Sequence, residues 1–285
     1  MNRVNALRNL YLRRENRGGR LPLILILLIA YVVLALVYAW ATPPLEASDE
    51  LWHFGLIQHL AETGDLPVQV PGVETPWEQE GSQPLLYYVA AALLVRPMDR
   101  SDFDAARQPN PHAYAGVPGA VGNKNLVLHD TPHPPLQGTA LAVYAVRLFS
   151  MALGAVTVSA VYAAARVVAA GLPGERLRLQ TAVPLLAAGL TAFNPMFLFI
   201  SASVNNDNLV TALNSLIVWQ TLLLLRDGFT PRRSAVIALL VALASLSKLS
   251  ALALLPALGL AALWTAYRRR DGRGLLFFGV CVAGA

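Results

Sequence analysis

Charged side chains are scarce in this chain. Only 14% of its 285 residues are Asp, Glu, Lys or Arg, whereas 55% are hydrophobic. Soluble globular domains usually carry about 25% charged residues, so the composition argues against a soluble enzyme and favours an integral membrane protein. Cysteine is represented by Cys281 alone, which excludes an intramolecular disulfide framework.

Lysine is equally rare. Lys124 and Lys248 are the only two lysines, and arginine supplies the remaining positive charge. A pI near 9.6 could suggest a nucleic-acid partner. The basic residues, however, form short clusters beside apolar runs, as membrane orientation signals do. We therefore expect a lipid bilayer, and no nucleic acid, as the partner of this charge.

The apolar run from Leu21 to Ala41 predicts a first transmembrane helix. About 20 apolar residues at 1.5 Å per residue cross a hydrocarbon core of roughly 30 Å. A cleaved signal peptide is the alternative, because arginines precede the run and Ala39-Trp40-Ala41 resembles a cleavage site. Signal-peptide apolar regions are shorter, at about 7–15 residues, and this favours a retained helix.

Clusters of arginine predict the topology of the rest. They occupy four places: Arg3 to Arg20, then Arg166, Arg176 and Arg178, then Arg226, Arg232 and Arg233, and finally Arg268, Arg269, Arg270 and Arg273. Short basic loops stay cytoplasmic, so an even number of crossings separates neighbouring clusters. This predicts spans at 21–41, about 141–165, 181–202, 207–225, 234–247 and 249–267, and an incomplete one at 275–285. We expect the chain to be a fragment of a longer protein.

The predicted fold is an all-α polytopic membrane protein with about seven transmembrane helices. Residues 1–20 form a cytoplasmic N-terminus, and 42–138 form a large extracytoplasmic loop with interfacial helices near 48–63 and 84–95. That loop contains all five histidines, 12 of the 17 acidic residues and only 4 of the 22 basic ones. Together with two short outer turns, it is the candidate site.

The first candidate group follows helix 21–41. Ser48 is expected to cap a helix that Gly64 ends, and Asp49 and His53 are expected on its apolar side. A desolvated carboxylate has a raised pKa, which suits Asp49 to general-base catalysis, with Glu50 as a second catalytic candidate beside it. The alternative is that both acids merely favour the N-terminal end of the helix dipole.

Further candidates lie in the loop and in the two turns. Glu80 is a plausible second acid, while Tyr87 and Tyr88 either bind substrate or form an interfacial tyrosine belt. The first turn contains Asn206 and Asp207, which can cap a helix from Leu209 or bind sugar hydroxyls.

Lys248, in the second turn, either reaches the headgroups or binds a phosphate. The irregular stretch 99–138 includes His129, Asp130 and His133, which are either solvated or metal ligands.

In order along the chain, several motifs resemble the lipid-carrier-dependent glycosyltransferases of the GT-C class, relatives of protein O-mannosyltransferases and aminoarabinose transferases. They are Asp49-Glu50, Leu60-Ala61-Glu62-Thr63-Gly64-Asp65-Leu66-Pro67, Pro84-Leu85-Leu86-Tyr87-Tyr88, Arg147-Leu148-Phe149-Ser150, Asn206-Asp207-Asn208-Leu209 and Leu246-Ser247-Lys248. The resemblance covers about residues 45–280 and is greatest to a bacterial branch. Leu85 and Ser82 depart from the pattern, which leaves Glu80 as the second acid.

The resemblance implies transfer of a sugar from a polyprenyl-phosphate donor to a glycan, lipid or protein acceptor outside the bacterial inner membrane. It implies that Asp49 deprotonates the acceptor hydroxyl and that Lys248 lies near the donor phosphate. Some members use a divalent metal, for which Asp49 and His53, with Glu50 and Glu80, are the available ligands. The alternatives are a transporter, with ionisable groups at mid-membrane depth, and a non-catalytic protein that binds lipid-linked sugars.

Overall fold

The computed structural model describes residues 23–114, 117, 119, 121–122, 124–129, 136–171 and 177–285. All regular elements in these ranges are helices, and the β-type contact among them is an isolated bridge between Pro109 and Val127. The all-α prediction is therefore confirmed for the described residues. The predicted cytoplasmic segment 1–20 lies outside them, as do Asp130, His133 and Arg176.

Eleven α-helices are present in the described ranges. In chain order they are α1 (Leu23–Ala41), α2 (Glu50–Thr63), α3 (Leu86–Val95), α4 (Phe103–Ala106), α5 (Gly138–Ala169), α6 (Leu177–Ala192), α7 (Pro195–Ser201), α8 (Asp207–Asp227), α9 (Pro231–Ser245), α10 (Leu255–Arg269) and α11 (Gly272–Ala283). Two 3₁₀ helices, Glu78–Ser82 and Leu249–Leu254, precede α3 and α10.

Four helical stretches of the described chain are long and apolar enough to cross a membrane: Leu23–Ala41, Gly138–Ala169, Asp207–Asp227 and Leu249–Arg269. A fifth results if α6 and α7, bent by 63° at Asn194, are counted as one span. Helices α9 and α11 have 15 and 12 residues, or about 22 and 18 Å, which is less than a hydrocarbon core of about 30 Å. The seven predicted spans are thus supported only in part.

The outward surface of α1 is apolar. Leu23, Ile26, Ile29, Val33 and Val37 each expose more than half of their side-chain surface. A continuous apolar surface of this kind is costly in water and suited to hydrocarbon. Helix α1 therefore has the properties of a membrane-spanning helix with a lipid-facing side.

Close packing joins α1 to α5 at one glycine. The Tyr31 hydroxyl donates a hydrogen bond to the Met151 carbonyl (3.2 Å). A Cβ added to Gly154 would lie 2.0 Å from that hydroxyl oxygen, so a larger residue would displace Tyr31. A second apolar core joins α8, α9, α10 and α11 around Ile217, Ile237 and Phe278.

The segment after α1 is a packed unit rather than an open loop. Phe54, Ile57, Tyr87 and Val95 are fully buried between α2, α3 and α5. Helices occur where interfacial helices were predicted, and Gly64 ends α2 in the left-handed conformation (φ 76°). The predicted Ser48 cap is wrong: Ser48 is itself left-handed (φ 43°), and α2 starts at Glu50.

Candidate active site

A buried ion pair joins the start of α2 to α5. The Arg147 Nε donates to one Glu50 carboxylate oxygen (2.8 Å) and Nη2 donates to the other (2.5 Å), and both side chains are fully buried. The remaining guanidinium hydrogens bond the carbonyls of Ala39, Thr42 and Pro43 (2.6, 2.7 and 2.9 Å). Arg147 thus ties α5 to the end of α1, where helix carbonyls lack intrahelical partners.

Glu50 is saturated by its donors. Besides Arg147, its oxygens accept the backbone N–H groups of Leu45 (2.9 Å) and Val204 (2.8 Å), which gives each oxygen two hydrogen bonds. A carboxylate has about four lone-pair sites, and all four are used. The geometry therefore gives Glu50 a positioning role, in contrast to the catalytic role expected from the sequence.

One turn further along α2, His53 forms a buried polar cluster with Tyr88 and Glu80. Tyr88 Oη donates to Glu80 (2.8 Å) and lies 2.8 Å from His53 Nδ1, which is 3.3 Å from the same Glu80 oxygen. Burial, and next the positive charge of Lys248, lower the pKa of His53 to about 4. Burial raises the pKa of Glu80, and burial with the adjacent Glu80 charge raises that of Tyr88. The imidazole is therefore neutral near pH 7.

Asp49 completes the cluster at its solvent-exposed side. Its carboxylate, His53 and Glu80 each offer a ligand atom within 4.8 Å of the others. Asp49 itself is exposed at the N-cap position of α2, without a side-chain capping bond. The expectation that Asp49 lies on the apolar side is therefore wrong, whereas His53 is buried as expected.

The two predicted turns meet beside this cluster. Lys248 Nζ donates to Asp207 (2.7 Å) and approaches the Asn206 side-chain oxygen (3.5 Å). Asn206 is fully buried, and its Nδ2 has no partner among the described residues. Helix α8 starts at Asp207 rather than Leu209, with Asn206 at its N-cap position as predicted but without a side-chain capping bond. The Asp207 N–H donates instead to the Asn205 side-chain oxygen (2.8 Å).

Both turns are fastened to the start of α3. The Leu86 N–H donates to the Leu246 carbonyl (3.0 Å). The Asn205 N–H donates to Tyr87 Oη (3.2 Å), which also lies 2.8 Å from Ser150 Oγ. The buried Tyr87 hydroxyl therefore connects the turn to α5. The sequence did not predict this role, because no neighbouring residue distinguishes Tyr87 from Tyr88.

Electrostatic interactions link these groups to one another. The charge of Lys248 acts on both His53 and Glu80, and that of Asp207 acts on His53 and Tyr88. Asp49 in turn acts on Glu80. The structure thus brings seven predicted residues together near the starts of α2, α3 and α8, with Glu50 and Tyr87 as buried supports: Asp49, His53, Glu80, Tyr88, Asn206, Asp207 and Lys248. Asp130 and His133 lie outside the described residues.

Part of the 99–138 stretch is anchored next to the site by Glu46, a residue that the sequence analysis overlooked. Glu46 accepts hydrogen bonds from the N–H groups of Leu126 (2.6 Å) and Val127 (3.0 Å), and lies 2.9 Å from His129 Nε2. His129 is therefore half-buried and paired with Glu46, whereas Asp130 and His133, the other predicted metal ligands, lie outside the described residues. The sequence feature that could have indicated this role of Glu46 is its position as a carboxylate two residues after Pro44.

Besides Glu50, the site offers a neutral imidazole, an ammonium group and three carboxylates, those of Asp49, Glu80 and Asp207. An exposed carboxylate can accept a proton, and an ammonium group can neutralise a phosphate. Comparisons with protein-family models, with curated proteins and with solved structures find no match to this chain.

Proposed function

We propose that the chain is a membrane glycosyltransferase with a GT-C-like fold, which moves a sugar from a polyprenyl-phosphate donor to an acceptor hydroxyl. One observation supports this above all: the Asp49, His53 and Glu80 cluster lies beside Lys248 and Asp207, at the ends of apolar helices. A lipid-borne sugar phosphate presents its reacting carbon at that level. A base and a cation on either side of this carbon are what the transfer requires.

In the proposed reaction the acceptor oxygen attacks the anomeric carbon of the donor sugar. The bond from that carbon to the phosphate oxygen breaks, and the electron pair leaves with polyprenyl phosphate. Asp49, the exposed carboxylate, takes the acceptor proton, while Lys248 stabilises the negative charge on the departing phosphate. Asn206 supplies an unused buried N–H donor next to Lys248, suited to a phosphate or sugar oxygen.

The same cluster fits a divalent metal. Two carboxylates and a neutral imidazole are donors that zinc and other divalent transition metals accept, and burial keeps His53 unprotonated near pH 7. Asp49, His53 and Glu80 would hold the ion, which would supply positive charge next to the donor phosphate. Glu50 is not available to it, because Arg147 occupies that carboxylate.

We further propose that the site faces outward from the bacterial inner membrane. Helix α8 begins at the site with Asp207 and ends at Arg226 and Asp227, near Arg233 and Arg269. Basic clusters stay cytoplasmic, so the opposite end is extracytoplasmic. In a Cys281→Ser background, a membrane-impermeant maleimide on intact cells should label Asp65→Cys and spare Arg268→Cys; the reverse pattern would reject this orientation.

The transfer is tested by Asp49→Asn in the purified protein. The probes are polyprenyl-phosphate hexose and pentose donors with a labelled sugar, incubated with envelope extract as the acceptor source. We expect Asp49→Asn to lose about 10²–10⁴-fold in turnover, as general bases contribute, while donor binding is retained. Asp65→Asn, an exposed carboxylate of the same loop, is the matched control. Unchanged transfer in Asp49→Asn would remove Asp49 from the mechanism, and binding without any transfer would favour a non-catalytic protein.

A transporter is the second candidate, because the 63° bend between α6 and α7 breaks a span in the manner of discontinuous transporter helices. The ionisable groups argue against it. Glu50 and Arg147 are paired with each other at the end of α1, and Lys248 is paired with Asp207 at the start of α8. Uptake of a labelled lipid-linked sugar into proteoliposomes, without any transfer activity, would favour the transporter.

A further inference from the structure

A second polar cleft lies on the opposite side of α2 from His53. It has a volume of about 280 Å³ and is lined by Gln58, Glu62, Arg100, Ser101, Phe103 and Asp104. At 100° per residue, Gln58 and Glu62 lie about 140° and 180° around the helix from His53. The cleft is close to the lower end of the roughly 300–1,000 Å³ that small-molecule sites occupy.

Arg100 is fixed in place along one wall. Its Nε donates to the Gln58 side-chain oxygen (2.7 Å), and its Nη1 donates to the carbonyls of Met98 (2.6 Å) and Val95. These bonds leave the Nη2 hydrogens uncommitted in the described structure. The guanidinium is half-buried, so it is pre-organised to donate to a ligand without further ordering.

Two carboxylates face the same space and are not neutralised by Arg100. Neither Glu62 nor Asp104 forms an ion pair with it among the described residues, although the Glu62 charge acts on the guanidinium. Gln58 links the two sides, since its amide nitrogen donates a long bond to Glu62 (3.5 Å). The walls therefore carry both strong acceptors and a strong donor, separated by a gap.

This mixture of charges selects the class of ligand. Two carboxylates repel a phosphate or another anion, and the guanidinium repels a metal cation. A neutral polyol suits both walls, because each hydroxyl group donates to a carboxylate and accepts from a guanidinium. Phe103 also lines the cleft, but its ring is buried against Phe54 and Arg107, so the polar side chains provide the recognition.

We propose that this cleft binds a neutral saccharide and holds the distal part of a glycan acceptor. The acceptor role rests on the proposed function, whereas saccharide binding does not. Glu62 follows Asp49 by 13 positions along α2, or about 20 Å at 1.5 Å per residue. A glycan that occupies both the cleft and the Asp49 site is therefore longer than one sugar unit.

The test is saturation-transfer NMR on the full chain in lipid nanodiscs, where no glycoside detergent competes. The probes are maltotriose, cellotriose, mannotriose and triacetylchitotriose, with glycine and inorganic phosphate as the zwitterionic and anionic alternatives. We expect at least one trisaccharide to bind. Its affinity should fall about tenfold or more in Glu62→Gln/Asp104→Asn, which removes hydrogen bonds to charged acceptors. Both side chains are exposed, so the variant should fold.

Ser101→Trp, which fills the cleft from an exposed position, should abolish the same signal. Asp49→Asn should retain it while losing transfer, so that failure of the cleft and failure of the proposed reaction are distinguished. Binding of glycine or phosphate alone, no binding by any trisaccharide, or saccharide binding unaffected by Glu62→Gln/Asp104→Asn would each overturn the proposal.

Discussion

Arg147 and Glu50 form a two-point ion pair with no exposed surface on either side chain, across 97 residues of sequence. Through Arg147 the pair holds the last carbonyls of α1, and through Glu50 it holds the N–H of Val204 in the turn before α8. One interaction therefore fixes the relative positions of α1, α2, α5 and the 203–208 turn. Asp49 is adjacent to Glu50, so its position depends on the same contact.

Glu50→Gln or Arg147→Met should each destabilise the protein by about 3–5 kcal/mol, because either change leaves an uncompensated buried charge. The double variant should be more stable than the sum of the two single effects predicts. Thermal unfolding in nanodiscs measures all three. Asp227→Asn, which breaks an exposed ion pair with Arg226, is the control and should change little. Strict additivity of the two buried changes would contradict the coupling.

Tyr87→Phe should lower stability by about 1–3 kcal/mol, because it leaves the buried Asn205 N–H and Ser150 hydroxyl without their shared partner. The turn that contains Asp207 should loosen, so hydrogen exchange at residues 203–208 should accelerate in the variant. Tyr267→Phe, at a tyrosine that is 79% exposed, is the control. Unaltered exchange in that turn would show that the Tyr87 hydroxyl does not hold it.

Stability should depend on pH through His53. Its pKa is about 4 in the folded protein, against 6.5 as the ordinary value. The unfolded state therefore binds more protons between these two pH values. The contribution of His53 to the free energy of unfolding is fully present above pH 6.5 and is lost as the pH falls towards 4. The full loss is about 3 kcal/mol. Glu80, whose pKa burial raises, acts in the opposite direction: its contribution falls as pH rises through its folded pKa.

Unfolding temperatures of wild type and His53→Gln, measured from pH 7.5 to 4.5, isolate the histidine contribution. The variant should lose part of the acid-side decline, while Glu80 remains in both proteins. If the unfolding temperatures of the two proteins declined equally with pH, the pKa of His53 would not differ between the folded and unfolded states.

Lys248→Met should reduce kcat/KM for the polyprenyl-phosphate donor by about 10²-fold or more, because a charge that stabilises the departing phosphate is removed. Most of the loss should be in kcat if Lys248 acts chiefly in the transition state. Lys124→Met changes the other lysine of the chain, which is exposed in the 99–138 stretch, and should leave both constants unchanged. Equal losses in the two variants would point to a general effect of charge.

Mn²⁺ should bind to the Asp49, His53 and Glu80 cluster, which is detectable by electron paramagnetic resonance without any substrate. His53→Ala should weaken binding about 10-fold or more, because one of three ligands is lost. His112→Ala, at an exposed position of the 99–138 stretch, should have no effect. Equal Mn²⁺ affinity in His53→Ala and wild type would exclude this cluster as the ion site.

Much of the site could be foreseen from local sequence. The apolar run of α1, the helix that starts at Glu50 and ends before Gly64, and the polar turns at 205–208 and 246–248 are determined by composition and by glycine and proline positions. From its place in an apolar run, Arg147 needs either an internal partner or a route to the headgroups, and the structure supplies the internal partner, Glu50. These properties depend on neighbours within a few residues, which is why sequence patterns report them.

The sequence by itself determined the all-helical, membrane-type character and the polar residues that a site could use. Only the tertiary structure decided their roles. The Glu50 carboxylate is fully paired with Arg147, whereas Asp49 remains exposed. His53 is neutral because it is buried and lies near the charge of Lys248. The number of crossings inferred from the basic clusters also did not predict that α9 is too short for a span. Burial and long-range pairing set these outcomes, and both depend on contacts between residues that are distant along the chain.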